Sequence, residues 1–171
     1  ETQTGYIRCL REMETSSEDL AGQEQVRVFE SVREAAEFLS TTEGKILITT
    51  GSKELKEYTK IGNYQERCFA RVLSTKAAVE ESVRLGFEGK HLIAMQGPFS
   101  EEMNLALLHQ TRARYFVTKE SGKAGGFEEK LKAAKNAGAV LIVIGRPQEI
   151  GRSVQEVCHF IESNFGKKEQ E

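Results

Sequence analysis

The stretch "KILITTGSKELKEYTKI", residues 45–61, contains an apolar run, a glycine and a helical pattern in direct succession. The run "KILITT" (45–50) is rich in β-branched residues and predicts a buried strand, because such side chains suit a pleated, covered surface. Gly51 ends this strand, and Ser52 is expected to cap a helix with the sequence "KELKEYTKI". A strand followed at once by a helix predicts an α/β fold.

The same alternation recurs on both sides of this stretch. Further strands are predicted at "VRVF" (26–29), "RCFARVL" (67–73), "HLIAM" (91–95), "RYFVT" (114–118) and "AVLIVIG" (139–145). These strands are continuous apolar runs rather than alternating ones, as expected where helices cover both faces of a sheet. The fold prediction is therefore a three-layer α/β/α sandwich with a mostly parallel sheet of Rossmann or flavodoxin-like type.

Hydroxyl side chains stand where the predicted helices begin. Ser31 and Glu34 have the spacing of a capping box before an apolar helical face. Ser74 is expected to cap the helix in "TKAAVEESVRLG", and Ser100 the helix in "EEMNLALLHQ". A last helix is predicted in "RPQEIGRSVQEVCHFIESNF".

Composition excludes several classes of protein. The chain has 171 residues, of which 39% are hydrophobic, so it suits one domain, or one domain with a fragment of another. Its net charge of -2 argues against a general nucleic-acid binder, and no apolar run approaches transmembrane length. Cys9, Cys68 and Cys158 are odd in number and lack C-x-x-C spacing, which favours a reducing cytoplasm. The three histidines form no zinc-ligand pattern.

The loops after the strands are the predicted binding site, because ligands of parallel α/β sheets bind outside the carboxyl ends of the strands. Glycine permits close backbone approach, serine and threonine supply hydroxyls, and lysine and arginine supply charge, so these loops suit a phosphate or carboxylate. The candidates are Thr50, Gly51, Ser52, Gly97, Pro98, Lys119, Ser121, Gly122, Lys123 and Arg146.

Each loop also has a purely structural interpretation. Gly51 and Ser52 can serve only as strand stop and helix cap, Gly97-Pro98 as a plain turn, and Arg146 as the end of a strand. The loop 119–126 favours ligand contact, because it is longer and richer in glycine than a simple crossover needs.

No catalytic residue can be assigned from the pattern. Neither a Walker A loop nor a G-x-G-x-x-G fingerprint is present. Glu101, Glu102, Glu128 and Glu129 fall in first helical turns, where they offset the helix dipole. If the protein is an enzyme, its chemistry is expected to come from a cofactor.

Several of these segments together resemble the precorrin-6x reductase family of cobalamin biosynthesis. The segments are "ILITTGSKEL", "ARVLST", "AMQGPFSEEMNLALL", "FVTKESGKAGGFEEKLKAA" and "VLIVIGRP", which occur in this order between about residues 25 and 165. The combination of G-P-F-S, T-K-x-S-G-x-x-G and R-P at these spacings is specific, whereas each motif alone is weak. The resemblance implies a cytoplasmic oxidoreductase that carries hydride from NADPH or NADH to a double bond of precorrin-6A or its cobalt form.

The resemblance also implies a role for each loop. Thr50, Gly51, Ser52, Gly97, Pro98, Lys119, Ser121 and Gly122 would contact the nicotinamide cofactor. Lys123 and Arg146 would bind the carboxylate arms of the tetrapyrrole substrate, although for these two residues and Lys119 both the cofactor phosphates and the carboxylate arms stay open as the ligand group. No residue is implied as the proton donor.

Family members have two Rossmann-like halves, and this chain resembles the carboxyl-terminal half alone. Residues 1–24 are then a remnant of an amino-terminal domain plus a linker, 25–165 the reductase domain and 166–171 a disordered tail. The chain's partner would be that amino-terminal domain, and the isolated fragment is expected to be inactive. Two other readings stay open: a nucleotide- or phosphate-binding regulatory module, and an interaction domain whose glycines serve turns only.

Overall fold

A computed structural model describes residues 6–9, 25–120, 126–145 and 151–165. Within these residues six strands form one parallel sheet. The strands are β1 (Val26–Phe29), β2 (Lys45–Ile48), β3 (Cys68–Val72), β4 (Leu92–Ala94), β5 (Ala113–Lys119) and β6 (Val140–Ile144). Each falls within about two residues of a predicted apolar run, so the predicted α/β fold is confirmed.

Helices alternate with the strands along the chain. They are α1 (Val32–Ser40), α2 (Leu55–Tyr58), α3 (Tyr64–Arg67), α4 (Lys76–Arg84), α5 (Glu101–Thr111), α6 (Phe127–Ala137) and α7 (Val154–Phe165). Short 3₁₀ helices at Ser52–Glu54 and Gly89–His91 complete the connections in the described residues.

The sheet order β1-β6-β5-β2-β3-β4 contains a reversal of direction. From β2 the chain adds β3 and then β4 on one side, whereas β5 and β6 are added on the other side. The connections leave the sheet in opposite directions at β2 and β5, so a crevice opens between their carboxyl ends. This topological switch point is where a ligand is expected to bind.

Two apolar clusters lie on opposite faces of the sheet because successive strand residues point to opposite sides. On β2, Ile46 and Ile48 join the first cluster and Leu47 joins the second. The first cluster packs under α1, α2 and α4, through residues that include Leu39, Tyr58 and Ala78. The second packs under α5 and α6, through residues that include Leu108, Ala133 and Ala134.

Two of the predicted helix caps are confirmed. The amide N–H of Glu34 donates to Ser31 Oγ at 3.2 Å, and the amide N–H of Met103 donates to Ser100 Oγ at 3.3 Å. Both serines have extended backbones, as an N-cap requires.

Two other predicted caps are wrong. Thr75, not Ser74, caps α4, and its Oγ1 accepts from the amide N–H of Ala78 at 3.4 Å. Ser52 lies inside the 3₁₀ helix rather than before it, and Gly51 precedes that helix with φ of 95°. The predicted helix from residue 53 to 61 is therefore a 3₁₀ turn followed by the short α2.

The chain divides into two compact units. Among the described residues, 25–145 belong to one unit, and 6–9 with 151–165 belong to the other. In the second unit Cys9 and Arg152 form a parallel β-bridge, and Ser153 with Glu156 begins α7 as a reciprocal cap. This division places α7 with the amino-terminal residues, whereas the sequence pattern groups it with residues 25–165. The predicted tail 166–171 and the segment 10–24 lie outside the described residues.

Candidate functional site

The crevice between β2 and β5 brings four of the predicted site residues together. Thr49 joins the two strand ends, because its amide N–H and its hydroxyl both donate to the carbonyl oxygen of Val117, at 2.9 and 2.7 Å. The residues that follow are Thr50, Gly51 and Ser52 on one side, and Lys119 stands on the other side at the end of β5. These residues therefore lie at one edge of the sheet, as the sequence predicted. Their contact with a ligand stays a prediction.

An ion pair crosses this crevice. Lys119 Nζ lies 2.6 Å from Glu54 Oε1, which belongs to the 3₁₀ helix after β2. The other carboxylate oxygen, Glu54 Oε2, is buried and has no hydrogen-bond partner among the described residues. Lys119 therefore offsets a negative charge in the crevice, and half of its side chain remains exposed.

The backbone at Gly51 is open toward solvent. Its φ of 95° lies in the left-handed region, and an added Cβ would meet no atom within 4 Å. Thr50 is only 8% exposed, and its Oγ1 donates to the hydroxyl of Tyr58 at 3.4 Å. Burial raises the pKa of Tyr58 above its ordinary value. Thus Gly51 allows an approaching ligand, while the Thr50 side chain is held internally.

The predicted loop after β4 lies at the same edge but two strands from β2. The Gly97-Pro98 peptide bond is cis. A Cβ at Gly97 would lie 3.2 Å from the ring of Phe99, so the absent side chain leaves room for that ring. These two residues therefore help to set the position of Phe99, whose carbonyl oxygen would lie 3.7 Å from a Cβ at Gly126, in the loop after β5; contact of Gly97 and Pro98 with a ligand stays a prediction.

A buried arginine that the sequence analysis missed supports this loop. Arg71 of β3 is 5% exposed, and its guanidinium carbon lies 3.9 Å from the centroid of the Phe99 ring. Its Nη1 donates to Asn104 Oδ1 at 2.7 Å, and Asn104 Nδ2 donates to the carbonyl oxygen of Ser100 at 2.9 Å. Burial lowers the pKa of Arg71 to about 10, which leaves it charged at neutral pH. One cation thus links β3, the loop and α5.

A second buried cation, Lys130, was also missed. It lies on the buried face of α6 together with Phe127, Ala133 and Ala134, and it is 9% exposed. Burial, and next the charge of Arg71, lower the pKa of Lys130 to about 8. An interruption of an apolar strand by arginine, in "CFARV", was the available signal for Arg71. Lys130 carried no such signal, since its helix also contains exposed lysines.

The remaining predicted residues, Ser121, Gly122, Lys123 and Arg146, lie outside the described residues. Among the residues that are described, no group of three or more His, Cys, Asp or Glu side chains could hold a metal ion. No helix in that part of the chain is long and apolar enough to cross a membrane.

Comparisons with known proteins agree with this architecture. Residues 1–162 match the family model described as "Precorrin-6x reductase CbiJ/CobK". The cobalt-precorrin-6A reductase of Priestia megaterium is 37% identical over 165 residues, which cover 93% of this chain and 63% of that protein. The enzyme of the same name from Salmonella typhimurium is 38% identical over 117 residues, 68% of this chain and 44% of that protein.

A solved structure, "CobK precorrin-6A reductase", has a similar fold. It superposes with a TM-score of 0.66 at 18% sequence identity, over 96% of this chain and 64% of that one. This chain therefore spans about two thirds or less of the length of these proteins.

Proposed function

The chain belongs to the precorrin-6x reductase family, and from that premise we propose that it is the carboxyl-terminal part of an NAD(P)H-dependent reductase. The substrate is precorrin-6A or its cobalt form, and one carbon–carbon double bond of the macrocycle is reduced during cobalamin biosynthesis. The curated relatives that cover most of this chain are named cobalt-precorrin-6A reductases, which supports this substrate class.

The observation that carries the proposal is the crevice at the β2–β5 switch point. Gly51 provides open backbone in a left-handed conformation, and Lys119 provides an exposed positive charge across from it. An anionic dinucleotide needs both features, because its phosphates require close backbone approach and charge neutralisation. The residues present therefore fit a nicotinamide cofactor, which would supply the hydride.

The other assigned residues have supporting roles in this proposal. Ser52, Ser121 and Gly122 contact the cofactor through hydroxyl and backbone groups. Gly97 and Pro98 shape the turn that carries Phe99, which Arg71 holds in place. Lys123 and Arg146 bind carboxylate arms of the substrate. Because hydride transfer requires no protein nucleophile, the chain's task is to hold the two reactants in contact and to exclude water.

The ion pair between Lys119 and Glu54 makes the proposal testable. Replacing Lys119 by alanine leaves the Glu54 carboxylate uncompensated, so it repels the cofactor phosphates. In the full-length protein, Lys119→Ala is expected to raise the KM for NAD(P)H about tenfold or more, equivalent to about 1.4 kcal/mol. Glu54→Gln removes the repelling charge and is expected to leave this KM unchanged or lower.

The measurement is oxidation of NADPH and NADH with and without precorrin-6A in its cobalt-free and cobalt-containing forms. Turnover is expected only with the macrocycle present. The matched control is Lys132→Ala, because Lys132 is an exposed lysine on α6 that pairs with Glu128. Thermal stabilisation by NAD(P)H without any turnover would instead support a nucleotide-binding regulatory module.

A further inference from the structure

A groove lies on the sheet face beside α5, away from the switch-point crevice. Helices α5 and α6 pack mainly over β2, β5 and β6, so β3 and β4 are less covered on this face. The groove has a volume of about 590 Å³. Phe69 and Ile93 form its apolar floor, and Leu107 of α5 forms one wall.

Three cations line one end of this groove. Lys45 is the first residue of β2 and pairs with Ala113, directly after Arg112. Lys90 precedes β4, next to His91, whose ring stacks on Phe69 at 4.4 Å. This end is the amino-terminal edge of the parallel sheet, opposite to the edge that carries the crevice.

Among the residues that the structure describes, the lining of this groove includes these three cations and no aspartate or glutamate. Within the described part of the chain, none of the three cations forms an ion pair with a carboxylate, and the Lys45 ammonium lies 5.6 Å from the centroid of Phe69. These three cations are exposed, and an anion bound among them gains favourable charge interactions.

Arg112 occupies a backbone position that favours glycine. It follows the last residue of α5 with φ of 52°, in the left-handed region. Glycine is the usual residue at this position of a helix end, because a side chain there adds steric strain. An arginine at such a position is consistent with a use for its charge, and Arg112 is one of the residues that line the groove.

We propose that this groove is a binding site for an organic acid with an apolar chain or ring and one anionic group. The apolar body lies on Phe69 and Ile93, and the anionic group lies among Lys45, Lys90 and Arg112. The volume is in the range of about 300–1,000 Å³ that small-molecule pockets occupy. The site does not depend on the proposed reductase activity, because it shares no residue with the crevice.

The test uses decanoate as the ligand, with decanol and decyltrimethylammonium as neutral and cationic analogues of the same chain length. Displacement of the fluorescent probe 8-anilinonaphthalene-1-sulfonate from the native 171-residue chain measures binding. Decanoate is expected to bind at least tenfold more tightly than either analogue, and its affinity is expected to fall as salt increases.

Arg112→Gly is the informative variant, because it removes the charge and also the strain. It is expected to raise or maintain the melting temperature while weakening decanoate binding at least fivefold. Met103→Glu places a carboxylate at a groove residue that is 41% exposed, and is expected to abolish binding. The matched control is Arg114→Gln, which removes an exposed arginine close in sequence that does not line the groove.

Three outcomes would overturn the proposal. One is equal affinity for decanoate and decanol, and another is an equal loss of binding in Arg112→Gly and Arg114→Gln. The third is sedimentation that shows a dimer dissociated by Met103→Glu, since a second copy of the chain would then occupy the groove.

Discussion

The two faces of the sheet bury different kinds of side chain. The face under α1, α2 and α4 is filled by apolar residues, and its fully buried polar side chain Ser82 bonds back to its own helix. The face under α5 and α6 buries Arg71 and Lys130, which both carry charge at neutral pH. Burying a charge costs free energy, and contacts such as the hydrogen bond from Arg71 to Asn104 offset part of that cost, so the second face depends on specific polar contacts where the first depends on apolar packing.

This contrast assigns different roles to the two faces only if mutations on them behave differently. Substitutions on the first face should change the free energy of unfolding without a specific effect on ligands. Substitutions of the buried cations on the second face should change the pH dependence of the free energy of unfolding, or the geometry of the loop that carries Phe99.

The largest expected effect on the free energy of unfolding is on the face under α1, α2 and α4. Phe87 is fully buried there and packs against Tyr64, with ring centroids 5.5 Å apart. Phe87→Ala is expected to lower the free energy of unfolding by about 3–5 kcal/mol, because it removes the ring and leaves a cavity. Urea denaturation measures this loss. Val83→Ala, at a residue that is 45% exposed on α4, is the control and should change stability by less than about 1 kcal/mol.

An intermediate effect is expected at Arg71. Arg71→Met keeps much of the side-chain volume but leaves Asn104 Oδ1 without its donor, so it should cost about 1–3 kcal/mol. A double-mutant cycle with Asn104→Leu tests whether the two side chains act together, through a coupling energy of about 1 kcal/mol. Purely additive losses would mean that the hydrogen bond contributes little, and that the two faces differ less than their composition indicates.

The third expected effect concerns Lys130, and it is seen only as a change with pH. Its pKa in the folded protein, about 8, lies below its ordinary value of 10.5, so the unfolded chain binds more protons between these two pH values. The contribution of Lys130 to the free energy of unfolding therefore becomes more favourable as the pH rises from about 8 to 10.5. Below about pH 8 the full cost of the buried charge applies. The stability of Lys130→Met relative to wild type is expected to increase by about 2 kcal/mol as the pH falls from 10 to 8.

This relative gain of Lys130→Met should shrink as the pH rises from 8 and should vanish above about pH 11. The difference between wild type and variant isolates this group, because Cys68 and Tyr58 titrate in both proteins. Lys132→Met on the same helix is the control and should leave the pH profile between 8 and 10 unchanged. A gain that stays constant over this range would show that Lys130 does not lose its proton there.

The strands were predictable from sequence because a sheet covered on both faces requires uninterrupted apolar runs. The runs that contain Ile46 and Ile142 have this character, and both strands are central in the sheet. The order of the strands was not predictable, since it depends on contacts between residues far apart in the chain. The cap of α4 was assigned to Ser74 instead of Thr75, because two neighbouring hydroxyls differ only in backbone torsion angles that the sequence does not state.

The candidate site was predictable only in part. The rule that ligands bind at the carboxyl ends of strands located Gly51 and Lys119 at one crevice. It could not indicate that Glu54 pairs with Lys119, because that contact joins two different loops. The burial of Arg71 and Lys130 was missed for a similar reason: exposure of a charged side chain depends on the elements packed over it.

The position of β1 in the sheet has a consequence for synthesis of the protein. Among the described residues β1 pairs with β6 alone, in a register that sets Val26 beside Leu141. Of the six described strands, β1 is therefore the first to leave the ribosome and its neighbour β6 is the last. The backbone edge of β1 stays open to wrong pairing during that interval, so this sheet cannot be completed before residues 140–144 have emerged.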